Sequence, residues 1–447
     1  MANKTTKKTN SVTSIVGSSG LTHYSGYISE EFLTALKGSR GVKIYKEMRD
    51  NDPTVGAILF AIDMLLRGVE WRAEGMSKSP DDEAAAEFMD ENIKDMAIAW
   101  PDLMSEILTM LTFGWSLHEV IFKKRNGHND NPRVSSQFTD GKIGWGTIEL
   151  RSQETLLNWN IEDDGTVTHM VQQAPPRYIV TEIPMDKCLL FRTTSHKGNP
   201  EGRSILRNAY RPWYFKKRIE EVEGIGIERD LAGLPVILAP GRIMSATASD
   251  NDKAIFAELK KIVTGIRRDE QEGVIMPSDK DENGNPAYEL KLLSTGGSRQ
   301  FDTNAIVNRY DQRITMTALA DFILLGHEKV GSFALSSDKT DLFATALGAW
   351  LNSIATELTG AANKLLRLNG MAGQVKLCPG DIESPNLTEL GDYITKLTGA
   401  GVPLFPDPEL EKYLKKVAHL PASEEESGKR KKIKPVPKKV PDGGEQA

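Results

Sequence analysis

The stretch GHEKVGSFALSSDKTDLF, Gly326 to Phe343, lies between two segments of helical periodicity, and the reading of the chain turns on it. Gly326 and Gly331 are spaced as at the opening of a phosphate-binding P-loop. Such a loop continues with Lys and Ser or Thr, follows a strand and opens a helix, so that backbone amides cradle the phosphates and the lysine neutralises them. Here Ser332 and Phe333 follow, and the preceding segment reads as helix. The nucleotide reading therefore fails. What remains is a loop held between two helices, and its purpose has to come from the chain around it.

The helix expected downstream has the clearest pattern in the chain. Phe343, Leu347, Trp350, Ile354, Leu358, Ala361, Leu365 and Leu368 keep helical register until Asn369-Gly370 ends it. From Thr340 to Leu368 it would be about 43 Å long at 1.5 Å per residue, and it needs a partner along most of that length. Upstream, helix is predicted from Asp302 to Leu325. Another long helix is predicted after the N-cap Ser204, with Ile205, Ala209, Pro212, Phe215, Ile219, Val222 and Ile225 on one face. Pro212 should bend it, and Gly233 with Pro235 should stop it. Its other faces carry Lys216, Lys217 and Arg218, then Glu220, Glu221 and Glu223, then Arg229. Blocks of opposite sign suit packing against a neighbouring copy, and equally suit a solvated face with local ion pairs.

Between these rods, Gly233 to about Thr295 reads as a small α/β module. It has a strand at PVILA, a helix with Ile255, Leu259, Ile262 and Ile266 on one face, a strand at GVIMP, and a strand in which Tyr288, Leu290 and Leu292 alternate with Glu289 and Lys291. The region before Ser204 reads as α+β. Helix is broken at Asp52-Pro53, VEWRAEG alternates as a strand, helices start at Pro80 and Pro101, and SLHEVIFKK and KCLLFRT are strands. An Asp-Gly turn stands at Asp164-Gly165. Helices are predicted between Leu387 and Leu420, followed by a proline-rich basic tail with the composition of disorder.

The 447 residues allow roughly three domains by length. The longest apolar run, Val55 to Val69, is too short for a bilayer and contains Asp63 and Arg67. The first twenty residues lack the apolar core of a secretory signal and read as a mobile arm. Two cysteines, Cys188 and Cys378, offer no disulfide framework or Cys-rich metal site. A net charge of −6 argues against a broad grip on nucleic acid, though not against letting it pass.

Catalytic patterns are incomplete. Gly114-Trp115-Ser116-Leu117-His118 approximates a nucleophile elbow, but His118 replaces the second glycine and the order is helix then strand. Ser336 to Lys339 spells S-x-x-K without its companion motifs. The seven histidines include no pair at i,i+4, so no metal site is expected. No enzyme, cofactor or catalytic residue is predicted, and the enzymatic alternative is a nucleotide- or DNA-processing hydrolase with a degenerate active site. A third reading, a monomeric DNA-binding module, rests on the basic aromatic stretch Arg211 to Arg218 and the tail lysines.

The residues HKGNPEGRSILRNAYRPWYFKKRIEEVEGIGIERDLAGLPV, TFGWSLHEVIFK and the helix, loop, helix order around LLGHEKVGS and LNG resemble the portal proteins of tailed bacteriophages. The likeness runs from about Ile44 to Asn369. It implies an α+β, portal-like fold with a mixed α/β wing, long stem helices, a small α/β clip and a C-terminal helical crown. On that pattern 1–43 is a flexible arm, 44–203 the first part of the wing, 204–232 a stem helix and 233–299 the clip. A second stem helix covers 300–326, a tunnel loop 327–339, the second part of the wing 340–384, the crown 385–420 and a disordered basic tail 421–447.

The resemblance further implies a homo-oligomeric ring, usually a dodecamer, at one capsid vertex of the virion, assembled in the bacterial host cytoplasm. Double-stranded DNA passes through the ring without sequence specificity. The implied partners are the terminase large subunit, the major capsid and scaffolding proteins, and the head-completion or tail adaptor, with no membrane. His327, Lys329, Ser332, Ser336 and Lys339 would face the DNA channel. Lys216, Lys217, Arg218, Glu220, Glu221, Glu223 and Arg229 would lie between subunits.

Overall fold

The computed structural model describes residues 18–162, 164–232, 234–265, 280, 284, 286–293, 302–318, 333–382, 394–396 and 398. The chain divides into two units, Met1–Ile382 and Glu383–Ala447. The first is a mixture of helices and antiparallel strands, hence α+β. Of the second, only 394–396 and 398 are described, as helix, so the expected crown and basic tail otherwise lie outside the described residues.

In chain order the first unit runs β1 (His23–Tyr24), β2 (Tyr27–Ile28), α1 (Gly38–Asn51), α2 (Pro53–Arg67), β3 (Trp71–Gly75), α3 (Pro80–Lys94) and α4 (Trp100–Phe113). It continues with β4 (Trp115–Lys124), β5 (Ile143–Arg151), β6 (Leu156–Ile161), β7 (Val167–Ala174), β8 (Ile179–Pro184), β9 (Cys188–Arg192) and α5 (Tyr210–Ala232). Then come β10 (Leu234–Leu238), α6 (Asp250–Gly265), β11 (Glu289–Leu293), α7 (Thr303–Thr317), α8 (Phe333–Leu368) and β12 (Val375–Pro379).

Local chemistry sets these boundaries. The Asp52 carboxylate accepts from Val55 N at 2.9 Å and Pro53 opens α2, so the break between α1 and α2 is a cap followed by a proline that has no helical N–H to lose. Ser79 caps α3 in the same way, accepting from Asp82 N at 3.2 Å. Gly114 ends α4 with φ 95°, and a side chain there would meet Glu201 O at 2.6 Å. Only glycine fits both the left-handed backbone and that approach.

Strand β4 is the partition of the body. It pairs antiparallel with β5 on one side and β9 on the other. One face of this sheet meets α4 and α8, in a core shared with α2 that contains Ile62, Met104, Ile107, Trp145, Leu347, Leu358 and Leu365. The other face presents Trp115 and Leu117 to the β6-β7-β8 sheet, where Trp115 and Trp159 meet edge to face at 5.2 Å. β3 pairs with β12, so residues near the start and end of the unit share one sheet. Within the α/β module expected from 233 onward, β10 pairs with β11, and Ile243, Leu259 and Tyr288 form a separate small core. The strand predicted at GVIMP lies outside the described residues.

Four expectations need correction. Residues 18–43 are not a loose arm: Trp159 N donates to Gly26 O at 3.1 Å, Glu31 accepts two hydrogen bonds from Arg207 at 2.5 and 2.7 Å, and Leu36 is buried. Pro212 does not bend a long helix, because α5 starts at Tyr210 and puts it in the first turn, where the N–H has no partner anyway. Ser204 caps a short 3-10 turn instead, accepting from Leu206 N at 3.0 Å. Helix α8 begins at Phe333, before the expected Thr340, so 333–339 is helix and not loop.

Candidate functional site on the α5 and α7 helices

α5 and α7 pack side by side, as the two predicted rods should. The Phe215 and Tyr310 rings stack across the pair at 6.5 Å and 19°. Thr303 Oγ1 donates to Glu223 at 2.5 Å farther along.

At the junction with the body, Lys216 is buried, with 3% exposure. Its Nζ donates to Asp52 at 3.0 Å and to Asp311 at 2.6 Å, and Thr54 Oγ1 donates to Asp311 at 2.6 Å. One ammonium thus ties α5 to α7 and to the start of α2. Burial alone would push Lys216 down, but the bonds from Asp311 and Asp52 outweigh it and hold the pKa above the ordinary lysine value. Nearby Glu220 is raised, first by its own burial and then by the neighbouring carboxylates Asp52, Asp311 and Glu223 against the opposing pull of Lys216.

The charges expected between subunits are therefore largely used within the chain. Lys216 is an interior residue, a correction forced by its own burial and by its carboxylate partners Asp52 and Asp311. Lys217 bonds Glu47 at 2.5 Å and lies over the Trp213 ring, and Arg218 pairs with Glu221 one turn on at 3.3 Å. Glu223 accepts from Thr303, and Arg229 lies on α5 with its side chain outside the described residues.

α5 also leaves apolar side chains exposed. Phe215, Val222 and Ile225, read from periodicity as a core face, are 41, 66 and 50% exposed. The buried side of the helix carries Trp213 and Lys216 instead, while Ala209, just before the helix, is buried as expected. An apolar stripe of this kind on a rod is a surface that no element packs on among the described residues. The basic aromatic stretch is split accordingly: Trp213 and Lys216 face inward, Arg211, Tyr214 and Phe215 outward.

Of the residues expected to face a channel, His327, Lys329 and Ser332 lie outside the described residues. Ser336 and Lys339 fall within α8, and their side chains are also outside them. The incomplete catalytic patterns gain no support. Ser116 Oγ donates to the Ile107 carbonyl at 2.9 Å, and His118 is fully buried with neither ring nitrogen hydrogen-bonded. Burial, helped by Arg151, pushes His118 down to about 3, so it is neutral at physiological pH. Among the described residues no group of three His, Cys, Asp or Glu is placed to hold a metal, and no helix is long and apolar enough to cross a membrane.

The sequence reading missed the role of Asp52 and Asp311 as partners of Lys216. It singled out Arg211 but missed Arg309 and Arg313, which with it surround the Phe215–Tyr310 stack. No local pattern marks either group, because each is assembled from separate helices.

Residues 42–417 match the family model described as the portal protein of Mu bacteriophage. The chain belongs to this portal-protein family. The fold agrees: the chain is similar to one in the neck of an empty gene transfer agent particle, at 12% identity and a TM-score of 0.50, over 85% of this chain and 94% of that one. It is equally similar to a chain in the virion of a native gene transfer agent particle, with 12% identity, a TM-score of 0.50 and coverage of 86 and 94%. The α5–α7 pair, the module that follows α5 and the α/β body are thus parts of a portal-family chain.

Proposed function

We propose that the chain is one subunit of a ring, a dodecamer, at a single capsid vertex, around a channel that conducts double-stranded DNA during packaging and ejection. The observation that carries this reading is the exposed apolar stripe of α5, seen in a member of the portal family. A rod whose apolar face is uncovered in the monomer is covered once identical copies stand side by side, and a head-to-tail contact that closes on itself makes a ring.

In this reading the body of α1 to β9, with α8 and β12, is the wing; α5 and α7 are the stem; and the β10-α6-β11 module is the clip. The clip faces the terminase large subunit before the head is full and a head-completion or tail adaptor afterwards. The wing meets the capsid and scaffolding proteins. The crown is 385–420. The segment joining α7 to α8 carries Lys329 to the channel, and this residue, with Lys339 in the first two turns of α8, guides the DNA weakly. Phosphate neutralisation is cumulative, so many lysines per ring would hold a duplex that has to slide. ATP hydrolysis belongs to a separate motor, assembly takes place in the host cytoplasm, and the ring ends in the virion.

Negative-stain images and the solution mass of the purified full chain test this. Rings are expected, and a protein that stays monomeric at every concentration and never forms rings with its head proteins refutes the proposal. Given rings, Lys329→Ala with Lys339→Ala is expected to leave them intact and to change DNA packaging or retention.

A further inference from the structure

Three cations at one end of the α5–α7 pair have no acidic partner among the described residues. Arg211 lies over the Phe215 ring at 5.9 Å, and Arg309 and Arg313 lie over Tyr310 at 5.4 and 5.9 Å. Each guanidinium meets an aromatic face and no carboxylate. Lys216, Lys217 and Arg218, on the same stretch of α5, are all ion-paired within the chain. The three arginines are exposed, and Arg211 and Arg313 line a cleft of about 310 Å³ with Pro212, Phe215 and Tyr310.

A guanidinium resting on a ring keeps its fork of N–H donors free, and that fork matches a carboxylate or a phosphate with two parallel bonds. The ligand is therefore anionic, and the surroundings decide which anion. Exposed apolar residues stand on both sides of the arginines: Met316 one turn beyond Arg313 on α7, and Val222 and Ile225 farther along α5 toward its contact with Thr303. Apolar area of this kind gains nothing against a hydrated phosphodiester backbone. Phe215 and Tyr310 are stacked on one another and are not open to receive a base. Arginine and aromatic residues beside apolar area are the composition of a protein–protein contact centre. The chain also has carboxylates to give: its net charge is −6, and Asp81, Glu83 and Glu87 on α3 are exposed with no ion pair among the described residues.

We propose that this arginine-framed aromatic cleft is a socket for carboxylate side chains of a second copy of the chain, and that it fixes how neighbouring subunits align along α5 and α7. The proposal rests on the ring reading above and adds to it the surface and its chemistry. The contact is heterologous, with cations from one copy and acids from the next, as a closed ring needs.

The test compares the full chain with Arg211→Glu/Arg313→Glu and with the milder Arg211→Gln/Arg313→Gln. Assembly is read by mass photometry across protein and salt concentration, folding by circular dichroism melting, and binding of a labelled DNA duplex by anisotropy. Both variants are expected to melt like the parent and to need at least about tenfold more protein to form rings, with the Glu pair affected more. The assembly of the parent should weaken with added salt more steeply than that of the Gln pair. Variants that assemble as the parent does overturn the socket and leave the ring reading standing. Variants that assemble normally but lose duplex binding also overturn it and assign the cleft to DNA. A parent chain that never forms rings defeats both proposals.

Discussion

Replacing Lys216 by Met is the perturbation that best separates an interior tie from a subunit contact. The Lys216 side chain is 4% exposed, and its partners Asp52 and Asp311 are 5 and 19% exposed. Methionine keeps the stem and removes the charge, which leaves the buried Asp52 and the part-buried Asp311 facing each other with only Thr54 and the α2 amide to satisfy them. Breaking a buried pair by deleting one member costs about 3–5 kcal/mol, because the remaining charge stays desolvated. The neighbouring pair, Lys217 and Glu47, is 44 and 38% exposed, and removing an exposed pair of this kind costs about 0–1 kcal/mol. Urea unfolding followed by tryptophan fluorescence, with Trp213 close to the triad, is expected to show a large loss for Lys216→Met and almost none for Lys217→Met. Adding Asp311→Asn to Lys216→Met should recover part of the loss, since it removes one of the stranded charges. Equal small losses for the two lysines would refute the argument. So would a Lys216→Met chain with parental stability that fails only in assembly, because Lys216 would then act between subunits.

Two further outcomes follow from single residues. Burial pushes Glu201 up to about 7 from its ordinary 4.5, against the hydrogen bond it accepts from Trp159 Nε1 at 3.2 Å. Between these values the folded chain holds a proton that the unfolded chain has released, so Glu201 makes stability fall as pH rises through the window, by on the order of 2–3 kcal/mol. Glu201→Gln should flatten that slope in unfolding measured from pH 4.5 to 8, and an unchanged slope would show that another group titrates. Gly114→Ala should cost about 1–3 kcal/mol more than Gly198→Ala in thermal unfolding: both glycines have positive φ, but only at Gly114 would the new Cβ strike backbone. Equal losses would show that the loop carrying Glu201 gives way freely.

Much of the fold could be read from local signals. Asp52-Pro53, Ser79-Pro80, Gly114 and Asp164-Gly165 each mark a boundary with a residue whose backbone or capping chemistry has few alternatives, and the structure breaks at each of them. Periodicity located α5 but could not say what covers its apolar face. Phe215, Val222 and Ile225 look like core residues in sequence because helical spacing marks an apolar face without saying whether anything packs on it. The error at Lys216 has the opposite origin: a lysine in a run of charges reads as surface until Asp52 and Asp311 arrive from distant parts of the chain. Residues 18–43 looked loose for want of hydrophobic periodicity, and their anchors, Arg207 and Trp159, are more than a hundred residues away. Ser-Ser-Asp reads as a cap and so points to a later start of α8, whereas Phe333, Ala334 and Leu335 before it are already helical.

The pairing of β3 with β12 has a consequence for synthesis. Trp71 lies opposite Pro379 and Gly75 opposite Val375, so the first large piece of the chain to leave the ribosome waits for the closing strand until some three hundred further residues have been made. The β10-α6-β11 module has its own small core and closes over a much shorter span, so it is expected to mature earlier, suspended inside a frame that is still open. During that interval the groove meant for β12 is an unpaired edge of β3. Premature pairing there with the same strand of another nascent chain is an assembly error to which this architecture is exposed.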